Sequence, residues 1–247
     1  MRPVLTILAV ALATASVGAT ETTDVVIETK RGTELQGRLS YPARAEGRLP
    51  AVVLAPGWKY DMDKPLIKRT GEELTEAGFV VLRFNWGFFT HKLNRSTKRF
   101  AEKQDLRAAL AFVRRLENVD QGRVYVVAKS MACRVAAEVA SAGEPMNGLV
   151  LMTIPLHIAG DQEQLHPVGE AIPTLELPLM IVCGEQDPTC RPDAVKKLAQ
   201  ACKSRPEMLF VPGKHQLESE SPEVTEKSIR RAARGVADWL KNRASMK

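Results

Sequence analysis

The feature that most constrains this chain is the regular alternation of short apolar runs with amphipathic helical stretches. Leu49–Ala55, Phe79–Phe84, Arg123–Val127, Gly148–Thr153, Leu179–Cys183 and Glu207–Val211 each read as a buried strand of five to seven residues. Between them lie helical segments. One runs from Pro65, well placed at a helix start, to a stop at Ala77-Gly78. A second covers about 97–116, where Leu106, Ala109, Leu110, Val113 and Leu116 share a face. Others follow Ser130, cover Pro192–Cys202, and start at Ser221-Pro222-Glu223 with Ile229, Ala233, Val236 and Leu240 in one stripe. Strands at this spacing joined by helices form right-handed crossovers, so the expected class is α/β: a mostly parallel sheet covered by helices on both faces. Asp24–Glu28 and Glu34–Ser40, joined by a turn at Gly32, extend it as antiparallel N-terminal edge strands. The stretch 155–177 reads as a long loop, and no repeat or linker divides the chain.

The first 19 residues stand apart from this pattern. They hold one arginine near the start, an uncharged apolar run and a small-residue Val17-Gly18-Ala19 site, with Ala13-Thr14-Ala15 as an earlier option, the layout of a secretory signal peptide. The run is shorter than the roughly 20 apolar residues of a membrane span. The expectation is an exported chain, periplasmic or secreted, with one domain over 20–247 and no stable membrane insertion once the signal is removed. Export permits disulfides, but Cys183 sits inside a strand, and Cys190 and Cys202 flank one helix, too far apart to bridge. With Cys133 they read as free thiols, and no Cys/His spacing suggests a metal site. The net charge of +6 suits nucleic acid, membrane surface or anionic substrate and decides among none of them. No nucleic-acid recognition motif accompanies it.

Ligands of open parallel sheets bind at the carboxyl ends of the strands, so the residues just beyond each strand carry most information. Beyond 123–127 comes Ala128-Lys129-Ser130-Met131-Ala132, a serine between a strand and a helix. This is the context of a nucleophile elbow with alanine in place of both glycines of G-x-S-x-G; a plain helix N-cap serine is the alternative. Beyond 179–183 comes Asp187, and beyond 207–211 comes His215. The order Ser130, Asp187, His215 is that of the α/β-hydrolases. The chemistry needs all three: imidazole takes the serine proton, and a buried carboxylate orients and stabilises the imidazolium. Pro56-Gly57-Trp58 follows the central strand, so the backbone N–H groups of Trp58 and Met131 are candidate oxyanion donors. An ordinary strand-ending turn is the other reading of Pro56-Gly57.

The mature chain resembles the α/β-hydrolases over nearly its whole length, and more narrowly the dienelactone-hydrolase-like proteins. Within those it is similar to the small family that contains a histone-acetyltransferase-complex subunit and its testis-expressed relative. The resemblance rests on Ala55-Pro56-Gly57 followed by Asp61-Met62-Asp63, on Arg83-Phe84-Asn85, on Lys129-Ser130-Met131 and on Ile154-Pro155-Leu156-His157. With the Ser130, Asp187, His215 trio it points to a serine hydrolase of esters or lactones; the 155–177 loop is too short for an elaborate lipase lid, which favours small soluble substrates, and no metal or organic cofactor is needed. His157 is a candidate substrate contact and precedes the acid, which excludes it as the general base; His166 reads as a loop residue. Glu185 is a rival to Asp187 as the acid. The basic segment 91–107, with Arg95 and Lys98 near its start, either rims the site and favours anionic substrates or is a solvated face. A non-catalytic binding protein on the same fold is the competing reading.

Overall fold

The computed structural model describes residues 20–44, 46–158, 161–165 and 171–246. The expected signal segment and His166 lie outside the described residues. Among those described, no helix is long and apolar enough to cross a membrane.

The strands are β1 (Glu21–Glu28), β2 (Glu34–Tyr41), β3 (Leu49–Ala55), β4 (Val80–Phe84), β5 (Val119–Lys129), β6 (Leu149–Met152), β7 (His157–Ile158), β8 (Asp161–Leu165), β9 (Leu179–Gly184) and β10 (Glu207–Val211). The helices are α1 (Pro65–Glu76), α2 (Gly87–Thr90), α3 (Phe100–Arg114), α4 (Met131–Ser141), α5 (Pro192–Ala201) and α6 (Pro222–Ser245). Eight strands form one sheet in the order β1-β2-β4-β3-β5-β6-β9-β10. From β4 to β10 every pairing is parallel, while β1 and β2 run antiparallel at the edge as the sequence predicts.

Alternation of side chains along the central strands builds two cores. Ala51, Val53 and Ala55 of β3, with Val124, Val126 and Ala128 of β5, face the layer of α3 and α4. Val52, Leu54, Tyr125 and Val127 face the opposite layer, where Leu66, Ile67 and Leu74 of α1 meet Ile229, Val236, Trp239 and Leu240 of α6. A strand buried on both faces must be apolar at nearly every position, which is why β3 and β5 read as continuous runs. The helix ends follow their local chemistry. Pro65 and Pro222 stand in the first turns of α1 and α6, and the Ser221 side chain accepts from the Val224 N–H to cap α6.

Four expectations need correction. The stretch 155–177 is not all loop: β7 and β8 pair as a short antiparallel hairpin. Strand β5 starts at Val119, four residues earlier than expected, because Val119 pairs with Leu49 of β3 and the register then shifts before Val124 meets Ala51. The helix expected from about 97 begins as a 3-10 turn with Lys98 and Arg99 in left-handed conformations, and regular helix starts at Phe100. Finally, Cys183 and Cys190 are not free thiols but form a disulfide, their Cα atoms 6.3 Å apart. The chain doubles back after β9 and returns Cys190 beneath the strand it has just left. The helix-length argument separated Cys190 from Cys202 but ignored this turn. Cys133 and Cys202 remain free and buried.

Candidate active site

Strand β5 ends at Lys129, and α4 begins at Met131, leaving Ser130 alone at the junction. Its φ of 53° and ψ of −116° form a strained turn that projects the side chain from the sheet edge. The turn is tied to the sheet by the Ser130 N–H, which donates to the Met152 carbonyl at 2.9 Å, and to α4 by the Cys133 N–H, which donates to the Ser130 carbonyl. Ala128 and Ala132 flank it, both fully buried. Their single methyl groups fit where the elbow demands small side chains, so substitution of the usual glycines leaves the geometry intact.

The three residues expected from the strand ends converge. Ser130 Oγ lies 2.9 Å from His215 Nε2, and His215 Nδ1 lies 2.8 Å from Asp187 Oδ2. His215 keeps about a quarter of its side chain in solvent, whereas Asp187 is buried. That asymmetry suits a base that must meet substrate and an acid that must not. The rival Glu185 is exposed, and Asp187 makes the contact. Burial by itself pushes the Asp187 carboxyl up. The hydrogen bond and charge of His215, with the N–H and hydroxyl of Thr189, outweigh it and hold the group below its ordinary value.

Thr189 was not foreseen. Its N–H and its hydroxyl each lie 2.8 Å from Asp187 Oδ1, and the hydroxyl is also 3.0 Å from His215 Nδ1. The acid and histidine loops are held together too. Glu185 N–H donates to the Val211 carbonyl and Gln186 N–H to that of Gly213. Gly184 permits this approach, since a Cβ there would fall 2.2 Å from the Gly213 carbonyl oxygen. A hydroxyl two residues after the acid was the available signal for Thr189, but only the folded loop turns it inward.

The loop after β3 lies on the nucleophile. A Cβ on Gly57 would sit 3.2 Å from Ser130 Cβ. The Trp86 indole N–H donates to the Pro56 carbonyl at 2.7 Å, and Asn85 and Arg83 clamp Met62 from both sides. Asn85 Oδ1 accepts from the Met62 N–H, while Arg83 Nη1 donates to the Met62 carbonyl, both at 2.9 Å. The Asp61-Met62-Asp63 and Arg83-Phe84-Asn85 motifs are therefore one device for fixing this loop. Among the described residues neither the Trp58 nor the Met131 N–H has a hydrogen-bond partner. Met131 stands in the first turn of α4, where the helix dipole favours negative charge.

Two further candidates take positions at the periphery. His157 is buried, its N–H donating to the Thr189 carbonyl at 3.1 Å, and its ring Nδ1 has no partner. Arg95 stacks on the half-exposed Trp58 ring at 3.8 Å, with the Lys59 ammonium 4.7 Å from the same ring. Among the described residues no group of side chains is arranged to hold a metal ion.

A family model described as "Alpha/beta hydrolase domain" matches residues 48–241. The chain belongs to the α/β-hydrolase family. Among curated proteins it is similar to "Esterase EstD" of Thermotoga maritima, with 31% identity over 128 residues. That match covers 49% of this chain and 30% of the length of that relative. The fold is similar to that of Est1E from Butyrivibrio proteoclasticus, with a TM-score of 0.71 and 15% identity over 89% of this chain and 98% of the other. It is also similar to the esterase domain of a Rhodothermus marinus protein, with a TM-score of 0.68 and 16% identity over 90% and 98% of the two chains. A third is XC6422 from Xanthomonas campestris, described as an α/β serine hydrolase without a lid, with a TM-score of 0.64 and 18% identity over 92% and 95%. The Ser130–His215–Asp187 arrangement is that of a serine hydrolase, and the α/β-hydrolase fold presents it at the carboxyl edge of the sheet.

Proposed function

We propose that this α/β-hydrolase cleaves carboxylic esters or lactones of small molecules through an acyl-enzyme. The unbroken contact chain from Ser130 Oγ through His215 to Asp187 carries this reading. In the first half-reaction Ser130 Oγ attacks the carbonyl carbon while His215 Nε2 takes its proton. The carbonyl oxygen becomes an oxyanion, held by the N–H groups of Met131 and Trp58, each worth about 3 kcal/mol in such sites. Collapse breaks the ester C–O bond, and His215 returns the proton to the leaving oxygen. In the second half His215 deprotonates water, which attacks the acyl carbon; the intermediate then collapses, breaking the bond to Ser130 Oγ while His215 returns the proton to that oxygen. Ionised Asp187 stabilises the imidazolium at each stage. The chemistry needs no metal or organic cofactor.

The finer readings rest on separate observations. Arg95 and Lys59 about Trp58 form a cationic rim that favours an anionic ester or lactone, and the unpartnered Nδ1 of buried His157 is placed to meet a polar substrate group. The 1–19 segment and the Cys183–Cys190 bridge both support export to an oxidising compartment, periplasmic or extracellular. N-terminal sequencing of the exported protein is expected to begin at Thr20; a chain beginning at Met1 overturns that reading. The narrower kinship with the histone-acetyltransferase-complex subunit family rests on the motifs that clamp the loop after β3.

The decisive experiment is labelling of the mature protein with a fluorophosphonate beside Ser130→Ala and His215→Ala. Labelling at Ser130 that disappears in both variants is the expected result. A folded wild type that does not label, and turns over p-nitrophenyl acetate no faster than Ser130→Ala, is a binding protein on a hydrolase fold.

A further inference from the structure

The mechanism above leaves one buried, titratable side chain beside the nucleophile without a task. Lys129 precedes Ser130 at the end of β5 and is only 2% exposed, among the largest fully buried side chains of the chain. A lysine buried in an α/β core is unfavourable unless something compensates its lost hydration. Among the described residues it forms no ion pair with a carboxylate; its Nζ stands over the face of Tyr60, 4.3 Å from the ring centroid. The ring is itself held. Tyr60 is buried, and its hydroxyl accepts from the Leu66 N–H in the first turn of α1 at 3.2 Å. The aliphatic stem of Lys129 passes beneath Gly57, its Cδ 3.7 Å from where a Gly57 Cβ would stand. One side chain therefore touches the loop after β3 at both Gly57 and Tyr60, on either side of Trp58.

We propose that Lys129 is a positioning residue whose ammonium, stacked on Tyr60, holds loop 56–60 down on the nucleophile so that the Trp58 N–H meets the oxyanion. The inference rests on the oxyanion role given to Trp58 above. Trp86 holds the same loop at Pro56, and Arg83 and Asn85 hold it at Met62. Lys129 covers the stretch between.

This grip depends on charge. Burial draws the Lys129 ammonium down to about 8, opposed by the charges of Asp187 in the acid loop and Glu218 in the histidine loop. Tyr60 is pushed up to about 12 by burial, and burial also pushes the Cys133 thiol up, so neither titrates near 8. Above that point Lys129 loses its proton, the cation–π contact disappears, and loop 56–60 is released. Activity should therefore fall on the alkaline side through about pH 8.

The test is the pH profile of kcat on a neutral p-nitrophenyl ester, with Ser130→Ala as the background. Lys129→Met removes the charge and keeps an apolar stem of similar size, so its Tm should equal or exceed that of the wild type. Its kcat is expected to fall about tenfold, part of the roughly hundredfold or more that loss of a whole oxyanion donor costs. KM should stay within about twofold, and the limb near pH 8 should vanish. Tyr60→Phe keeps the ring and should keep the limb, whereas Tyr60→Leu should reproduce Lys129→Met. A Lys129→Met enzyme with wild-type kcat and an unchanged limb overturns the proposal, as does a Tyr60→Leu enzyme that behaves like the wild type. If the wild type takes no fluorophosphonate, the hydrolase reading itself fails. If it labels and Lys129→Met labels equally fast, only the role of Lys129 fails.

Discussion

Asp187 is a carboxylate removed from water that nonetheless stays ionised, and Thr189 is part of the reason. A buried carboxylate needs each lone pair met by a donor; His215 meets Oδ2, and the Thr189 N–H and hydroxyl meet Oδ1. Thr189→Val removes the hydroxyl while keeping the backbone donor and the side-chain volume. Its kcat should drop about tenfold, the scale of one charge-assisted hydrogen bond, with KM little changed and Thr189→Ser restoring the rate. The sign of the stability effect follows. Because the Asp187 carboxyl is held below its ordinary 3.8, its contribution is present above that value and is lost as pH falls through the folded-state value. With the hydroxyl gone the folded-state value rises, so acid unfolding of the valine variant should begin at higher pH; an unchanged acid transition would count against the assignment. At this scale Ser130, Asp187 and His215 were legible because each follows an apolar strand at the carboxyl edge. Thr189 and Lys129 were not, because their roles lie in distances that exist only after β5, β9 and the loop after β3 have been laid side by side.

Among the elements, the segment joining β9 to α5 does most to prepare the site. The disulfide closes Cys183 to Cys190 across a sequence separation of 7, and both Asp187 and Thr189 lie inside that small ring. Cross-linking so short a loop is worth about 2–3 kcal/mol by the chain-entropy account. Cys190→Ser should lower stability by that amount, lower kcat more than it raises KM, and make the enzyme indifferent to dithiothreitol. The wild type should lose activity on reduction, and equal activity with and without reductant would show that the acid loop holds its shape unaided. The elements also show where periodicity stops informing. Strand β5 begins with Val119-Asp120-Gln121-Gly122-Arg123, whose polar residues carry no strand signal; the early start comes from Val119 pairing with Leu49 of β3, with the polar residues spanning the register shift before Val124. Similarly, Lys98 and Arg99 adopt left-handed backbone in a stretch whose composition reads as helix. There, burial of Glu102, which accepts from the Ser96 N–H, places the start of α3.

For the molecule as a whole, charge and topology act together. The chain carries a net +6, and the stretch from Trp86 to Phe100 contains basic residues and no acidic one. Among the described residues Lys59, Lys92, Arg95 and Lys98 form no ion pair, and the contact of Arg95 with Trp58 brings this charge to the mouth of the site. For an anionic ester, kcat/KM should fall as salt rises from low to physiological strength, where the screening length shortens to about 8 Å. A neutral ester of the same acyl group should show no such trend. Arg95→Gln with Lys98→Gln should raise KM for the anionic ester alone; equal effects on both esters would remove the basis for an anionic substrate.

The sequence by itself determined the alternation of strands and helices, and with it the parallel sheet, its antiparallel edge and the edge on which Ser130, Asp187 and His215 emerge. Those are local consequences: side-chain periodicity sets which face of each segment is apolar, and crossover handedness then leaves few ways to stack them. Only the tertiary structure decided that Cys190 pairs with Cys183, that Thr189 supports the acid, that Arg83 and Asn85 clamp Met62, and that Lys129 lies beneath Tyr60. These contacts join segments that are neighbours only through sheet register and loop closure, and no pattern along one strand or helix encodes a distance between two of them.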